Sequence, residues 1–248
     1  MTRDVEPTEL AELLRPVLPS ALVGFDVDGV LAPIVEHADD ARLLDGTNQR
    51  LTGLAARTEV AIVSGRSLDS LERLFGFPAG LHVVGSHGLE LRDAPPMELD
   101  DAERATLEQL EILGTRAVNA AGDGAWLEYK PASVVLHTRS ADAARAAAAV
   151  DALTNLARSV PRAQVKEGHE VVELLARSAS KGEALVALAD RLGRSPLVFL
   201  GDDVTDEDAF ALMADDDISV RVGPGDTAAG YRLADPDAVA AFTDALVG

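Results

Sequence analysis

An open, doubly wound parallel sheet of the Rossmann-like kind, carrying a smaller inserted α/β unit, is the fold this sequence predicts, and three observations predict it. Short apolar runs alternate with helical stretches over residues 21–84 and again from Lys181 to Leu246, a rhythm that builds a parallel sheet covered on both faces. Between them the rhythm changes to helix, hairpin, helix, hairpin, which a doubly wound domain does not contain. The chain has 248 residues, 47% of them hydrophobic, enough to bury a sizeable core without disulfide or metal staples.

Taken in order, Glu9 to Leu14 form an amphipathic helix stopped near Pro16. Ala21 to Phe25 read as a buried strand that delivers Asp26 to the loop DVDG. A helix near Asn48 to Arg57, the strand Val60 to Val63, the turn SGR, a helix over Leu68 to Phe75 and the strand Leu81 to Val84 follow. The pattern breaks at APPM, residues 94–97. Leu99, Ala102, Thr106, Leu110 and Leu113 then keep helical spacing, and strands Ala125 to Lys130 and Val134 to Arg139 flank a turn at Pro131. A second, alanine-rich helix near Ala141 to Arg158 precedes strands at Arg162 to Lys166 and His169 to Leu175, joined through Glu167 and Gly168. A helix from Lys181, the strand Leu197 to Leu200, a helix after Thr205, the strand Ile218 to Val222 and a helix near Asp237 to Leu246 complete the sheet, with GPGDTAAG (223–230) as a loop. The expected domains are a core of residues 1–94 and 180–248 and an inserted unit of residues 95–179.

Composition narrows the function. A formal charge of -20 repels a phosphate backbone and 4% aromatics offer few stacking platforms, which excludes nucleic-acid binding. There is no cysteine, so disulfides, thiolate catalysis and Cys-ligated metals are out, in keeping with a reducing cytoplasm. No run of about 18 apolar residues marks a membrane span, and the acidic opening is unlike a signal peptide. The partner expected is a small anionic molecule, taken by a cytoplasmic monomer.

Asp26 and Asp28 stand two apart where an apolar strand runs out, with side chains on one side of an extended backbone and Gly29 free to turn. Alone, such a loop is an Asx turn closing a strand. GDDVTDEDAF adds five carboxylates at residues 202–208 after a strand of the same sheet, at the edge where such sheets bind ligands. Two acidic clusters at one edge call for a hard cation, and oxygen-only ligands suit Mg²⁺. Asp202 is the expected metal ligand, Asp203 and Asp206 its supports, and Thr205 with Asp208 a capping pair. Ser64 ends another strand, where its hydroxyl and the loop amides can hold phosphate oxygens. Of 22 basic side chains only Lys130, Lys166 and Lys181 are lysines, and Lys181 begins a helix, where a cation opposes the macrodipole, so a phosphate contact is expected of it.

DVDGVLAPI (26–34), SGR (64–66), Lys181 and GDDVTDEDAF (201–210) resemble, in order, the four motifs of the haloacid dehalogenase superfamily phosphatases. GSHGLE (85–90), LEYKPASVVLHTR (127–139) and VVELLARSASKGEAL (171–185) look more narrowly like the trehalose-6-phosphate phosphatases. The resemblance implies an Mg²⁺-dependent phosphoric monoester hydrolase that releases phosphate from trehalose 6-phosphate through an aspartyl-phosphate. It implies Asp26 as nucleophile, Asp28 as general acid and base, and Ser64 and Lys181 holding the phosphoryl group, with Gly65 and Arg66 among the substrate-binding positions. Mg²⁺ is implied on Asp26, the Asp28 carbonyl and Asp202, and sugar contacts on Glu128, Lys130, Arg139 and Glu173 of an inserted cap that closes over the core. His87 and His137 match family positions as well, as structural histidines or ligands. Val30 stands where most relatives have threonine. Where the family carries E-x-R-P, this chain reads Glu173, Leu174, Leu175, Ala176, which leaves open another sugar phosphate, such as sucrose or glucosylglycerol phosphate. Two further readings are an inactive phosphosugar-binding relative and a receiver-type signalling domain, which would be about half this length and lack the insertion.

Overall fold

In the computed structural model, residues 2–95, 98–168, 170–178 and 180–248 are described. The chain falls into two compact units, Met1–Pro95 with Ala179–Gly248, and Pro96–Ser178. In the first stretch of the first unit lie β1 (Arg3–Asp4), α1 (Pro7–Leu14), β2 (Leu22–Phe25), α2 (Thr47–Ala55), β3 (Glu59–Val63), α3 (Leu68–Phe75), β4 (His82–Gly85) and β5 (Glu90–Leu91). The second unit contains α4 (Asp101–Ala121), β6 (Trp126–Lys130), β7 (Ser133–His137), α5 (Ala143–Ala157), β8 (Gln164–Gly168) and β9 (Val171–Leu175). The first unit resumes with α6 (Lys181–Leu192), β10 (Leu197–Gly201), α7 (Val204–Phe210), β11 (Ile218–Val222), β12 (Tyr231–Leu233) and α8 (Pro236–Val247).

The first unit is built on an eight-stranded sheet in the order β1-β12-β11-β10-β2-β3-β4-β5, parallel except for β5 against β4. Strand order runs β2-β3-β4 in one direction and β10-β11-β12 in the other, so the switch point lies between β2 and β10, where such sheets open a crevice at the carboxyl ends. Register sets the crevice. Phe25 pairs with Ile62 on one side and Leu200 on the other, which brings Asp26, Ser64 and Asp202 out at nearly one level. Every residue of β2 and β10 is buried, as strands packed on both faces require. One layer of the core gathers Phe25, Ile62, Leu200 and Phe242, the other Val63, Leu185, Phe199 and Phe210.

The second unit is a four-stranded antiparallel sheet, β6-β7-β9-β8, made by two helix-and-hairpin repeats. Leu127, Val134, Leu136, Val165, Val172 and Leu174 turn one face onto α4 and α5 around Leu110 and Leu153. The alternate positions, Trp126, Glu128, Lys130, Ser133, His137, Lys166 and Glu173 together with Val135, Val171 and Leu175, share the opposite, mostly polar face by strand alternation. A capping box at Asp100 and Glu103 starts α4.

Most expected elements lie within two residues of those observed, and the differences have local causes. Strands β1, β5 and β12 have two or three residues each, too short for a periodic pattern to register. Helix α4 runs on to Ala121, eight residues past the last apolar position read from the sequence, and stops at Gly122, whose φ is +85°. Glu167 and Gly168 belong to β8 rather than to the turn; Glu170, just before β9, takes a φ of +59°, and the expected strand start at His169 lies outside the described residues. Pro96 and Met97 of the APPM break, and the expected boundary at Ala179, also lie outside them. Among the described residues no helix is long and apolar enough to cross a membrane. Phe199 is completely buried, so Phe199→Ala should cost about 3–5 kcal/mol of unfolding free energy, read as a lower urea midpoint at unchanged slope.

Candidate active site

Four segments of the first unit converge at the carboxyl edge of its sheet. Asp26 follows β2 directly, is 4% exposed, and hydrogen-bonds through its amide to the carbonyl of Leu200 at 2.9 Å. The next residues fold into a tight loop in which the amides of Leu31 and Ala32 reach the carbonyl of Val27, both at 2.9 Å. Gly29 takes a φ of +76°, and a Cβ there would stand 2.0 Å from Oδ2 of Asp202. Only glycine therefore lets the Asp202 carboxyl lie against this loop.

Lys181 is the first residue of α6, after the N-cap Ser180, and is 2% exposed. Its ammonium donates to Asp26 Oδ2 at 2.8 Å and to Asp206 Oδ1 at 2.9 Å, with Asp203 Oδ1 at 4.0 Å. Asp206 in turn accepts the amides of Asp202 at 2.8 Å and Asp203 at 3.1 Å. Its carboxyl folds back over Gly201, where a Cβ would meet Asp206 Cγ at 2.3 Å. The helix cap expected of Thr205 and Asp208 is instead a capping box of Asp203 and Asp206: Asp203 accepts the amides of Thr205 and Asp206, and Asp208 is exposed. The helix starts two residues earlier than the sequence indicated, which moves the cap pair with it.

Four carboxylates face one ammonium here, and their protonation reflects it. Burial pushes Asp26 well up, with Asp206 and Asp203 adding to the rise and Lys181 opposing it. Asp206 is raised by burial against the pull of Lys181. Asp202 is pushed up to about 7 by burial and by the charges of Asp203 and Asp206. For Asp203 burial is overcome by Lys181 and by hydrogen bonds from Thr205 and Asp206, so its carboxyl is held low. Burial pulls the Lys181 ammonium down, but Asp26, Asp206 and Asp203 overcome it and hold the group above the usual lysine range, so it stays charged. The excess of negative charge fits a further cation. Asp26, Asp203 and Asp206 present oxygens within 4.8 Å of one another, a hard-cation donor set among which the Lys181 ammonium lies. The carboxylates of Asp28 and Asp202 are outside that set, Asp202 on the Gly29 side.

Asp28 has a partner the sequence did not indicate. Arg66 closes on it through two parallel bonds, Nε to Oδ2 at 2.6 Å and a terminal nitrogen to Oδ1 at 2.7 Å, a fork geometry that fixes the carboxylate plane. Ser64 is 1% exposed, and its hydroxyl accepts the Arg66 amide at 3.2 Å. Gly65 is covered by the ring of His87, which a Cβ at 65 would strike at 2.6 Å. His87 belongs to a turn in which Ser86, His87 and Gly88 all have positive φ, of 48°, 56° and 114°. That conformation is costly for Ser and His, and its amides repay it by holding the neighbouring loop: Ser86 donates to the carbonyl of Arg66 at 2.8 Å and His87 to that of Ser64 at 3.0 Å. Glu90 accepts the Ser86 hydroxyl at 2.5 Å and the Leu68 amide at 3.3 Å.

In the second unit, Lys130 donates to Glu173 at 3.3 Å and Ser133 to the same oxygen at 2.6 Å. Glu128 meets His137 Nε2 at 3.0 Å, and Arg139, beyond β7, meets Glu170 at 3.2 Å. Glu128, Lys130 and Glu173 thus share one sheet face, while Arg139 is exposed at its end. Leu175 is completely buried, and Arg177 is bound to Glu103 through two nitrogens at 2.8 and 2.5 Å.

A DxDG loop, an SGR turn, a lysine opening a helix and a GDD segment at one edge of a doubly wound sheet mark the haloacid dehalogenase class of folds. Within it the chain belongs to the trehalose-phosphatase family, whose sequence model matches residues 24–237. It is 37% identical over 239 residues to the trehalose-phosphate phosphatase of Mycobacterium tuberculosis, covering 90% of this chain and 60% of that one. It is 37% identical over 227 residues to the trehalose-6-phosphate phosphatase of Escherichia coli, 85% of this chain and 80% of that one. The chain therefore spans about three fifths of the length of its mycobacterial relatives. In fold it is similar to the C-terminal domain of a Candida albicans trehalose-6-phosphate phosphatase, with a TM-score of 0.79, 23% identity, and 100% and 98% of the two chains covered.

Replacing the ammonium by a methionine tests the charge balance. Lys181→Met should lower stability by about 3–5 kcal/mol near pH 8 in metal-free buffer, since it leaves buried carboxylates uncompensated. Asp26 and Asp206 have raised pKa values in the folded state, so the fold takes up protons that the unfolded chain does not as pH falls. The loss should accordingly shrink towards about pH 5 in urea unfolding; a deficit independent of pH would show that the ammonium compensates something other than these carboxylates.

Proposed function

We propose that the protein is a phosphoric monoester hydrolase that releases phosphate from trehalose 6-phosphate, with Asp26 as nucleophile. The observation that carries this reading is the buried Asp26–Lys181 pair at 2.8 Å, on the same loop as an Asp28 held by Arg66. A carboxylate that attacks a phosphate dianion must overcome like-charge repulsion. Lys181 offsets it, opposing the rise that burial gives Asp26 and presenting positive charge where the phosphoryl oxygens arrive. Asp206 and Asp203 fix the ammonium from the other side, so it keeps its place when Asp26 forms the aspartyl-phosphate. The Ser64 hydroxyl and the amides of its loop hold the equatorial oxygens, and the 86–88 turn keeps that loop rigid. Asp28 protonates the departing sugar oxygen and then takes the proton of the water that cleaves the acyl-phosphate. The Arg66 fork aims it; Arg66 acts on substrate through Asp28 rather than by direct contact.

Mg²⁺ would be held by Asp26, the Asp28 carbonyl and Asp202, on the Gly29 side of Asp26 away from the oxygens that surround Lys181, and when bound it would supply charge neutralisation for the transferring group. Asp203 and Asp206 serve Lys181 in this reading. The sugar is read by Glu128, Lys130 and Glu173 on the polar face of the second unit's sheet, with Arg139 at its end. Leu175, buried where the family has arginine, favours a second reading in which another sugar phosphate is the substrate.

Excess EDTA should abolish phosphate release and added Mg²⁺ restore it, and across a panel of trehalose, sucrose, glucosylglycerol and glucose phosphates kcat/KM should be highest for trehalose 6-phosphate. A different leader would reassign the substrate, and full activity in EDTA would remove the metal. Asp28→Asn should lower kcat on trehalose 6-phosphate by roughly 10²–10⁴-fold, and by much less on p-nitrophenyl phosphate, whose leaving group needs no proton. Equal losses on both would take Asp28 out of the acid role.

A further inference from the structure

Trp126 is the single tryptophan of the chain, and it stands in an unusual place. It opens β6 on the polar face of the four-stranded sheet, away from the apolar face that packs on α4 and α5. More than half of it, 53%, is exposed, although large aromatic rings bury most of their surface where packing allows. One face of the indole lies flat on the ring of His137, its cross-strand partner, with centroids 4.0 Å apart and planes 4° from parallel. His137 is in turn held by Glu128 at 3.0 Å. The row Trp126, His137, Glu128 thus combines a flat, rigidly held aromatic surface with a carboxylate one residue pair away on the same face.

That combination suits a pyranose ring. Each glucose ring of trehalose carries its 2-, 3- and 4-hydroxyls equatorially and its one axial oxygen, the glycosidic one, on a single face, so the opposite face is apolar while the rim is polar. An indole covers the face and a carboxylate takes the rim hydroxyls, and neither group alone distinguishes a sugar ring from any other polyol. His137 fixes the indole before the sugar arrives, which reduces the ordering cost of binding. We propose that Trp126 is a specificity-determining residue of this protein, stacking on a glucose ring of the substrate beside Glu128. This rests on the sugar-phosphate reading above and adds to it a requirement for a gluco-configured ring, since an axial hydroxyl on the stacked face would break the contact.

Because Trp126 is the only tryptophan, its fluorescence reports the contact without turnover. Titration of the full chain with trehalose should give a saturable change in emission, and mannitol, an open-chain polyol with no ring face, should give none. Trp126→Ala should raise KM for trehalose 6-phosphate about tenfold with kcat within about twofold, so that preference for it over p-nitrophenyl phosphate falls about tenfold. Trp126→Phe, which retains a flat ring, should recover most of the preference. Emission unmoved by trehalose in a protein that hydrolyses trehalose 6-phosphate would overturn the Trp126 assignment alone. Trehalose binding through Trp126 without hydrolysis of its phosphate would overturn the substrate reading alone. Parallel losses on both substrates in Trp126→Ala, with a lowered melting temperature, would make the Trp126–His137 stack a prop for the sheet edge and refute the proposal.

Discussion

One buried ammonium holds the first unit's carboxylates in place. Lys181 lies 155 residues beyond Asp26 in the sequence, yet it bonds to Asp26 and Asp206 at under 3 Å with almost no exposure. Taking charges of one sign out of water is tolerable only when the opposite charge is as well placed, and three of the surrounding four carboxyls still have raised pKa values. Much else in the unit serves that arrangement. Gly201 leaves room for the Asp206 carboxyl, Gly29 leaves room for Asp202, and Gly182 lets α6 approach α7 so closely that a Cβ there would stand 2.7 Å from the backbone of Ala209.

A second constraint is the strained turn after β4. Two non-glycine residues and a glycine in succession adopt positive φ, a conformation retained only where the surroundings over-determine it. Here the surroundings are the carbonyls of Ser64 and Arg66 and the carboxylate of Glu90. The turn therefore transfers rigidity to the loop from which Arg66 reaches Asp28. His87 belongs to that structure through its ring over Gly65, which makes it part of the scaffold of the loop rather than an independent ligand.

The second unit follows a different rule. An antiparallel sheet with helices on one side packs apolar residues there, and its other face can carry polar side chains, which here are buried in part and therefore hydrogen-bonded to one another: Ser133 is 1% and Glu173 9% exposed. Lys130, Ser133 and Glu173 form a bonded cluster on it, and Glu128, His137 and Trp126 a second row.

The sequence by itself determined the class of fold, the placing of most elements and the four segments that meet at the sheet edge. Those follow from periodicity and from strand ends, which are local properties: an apolar run that stops at Asp26 or at Gly201 announces its own loop. It also marked Lys181, because a lone lysine at a helix start is locally unfavourable. Tertiary structure decided the partners. That Arg66 grips Asp28, that Asp206 rather than Asp208 closes the cap of α7, and that Trp126 lies on His137 depend on register between distant strands and on shifts of two residues at helix ends. A single sequence holds no record of either, since several pairings of charges and rings are nearly equal in energy until packing selects among them.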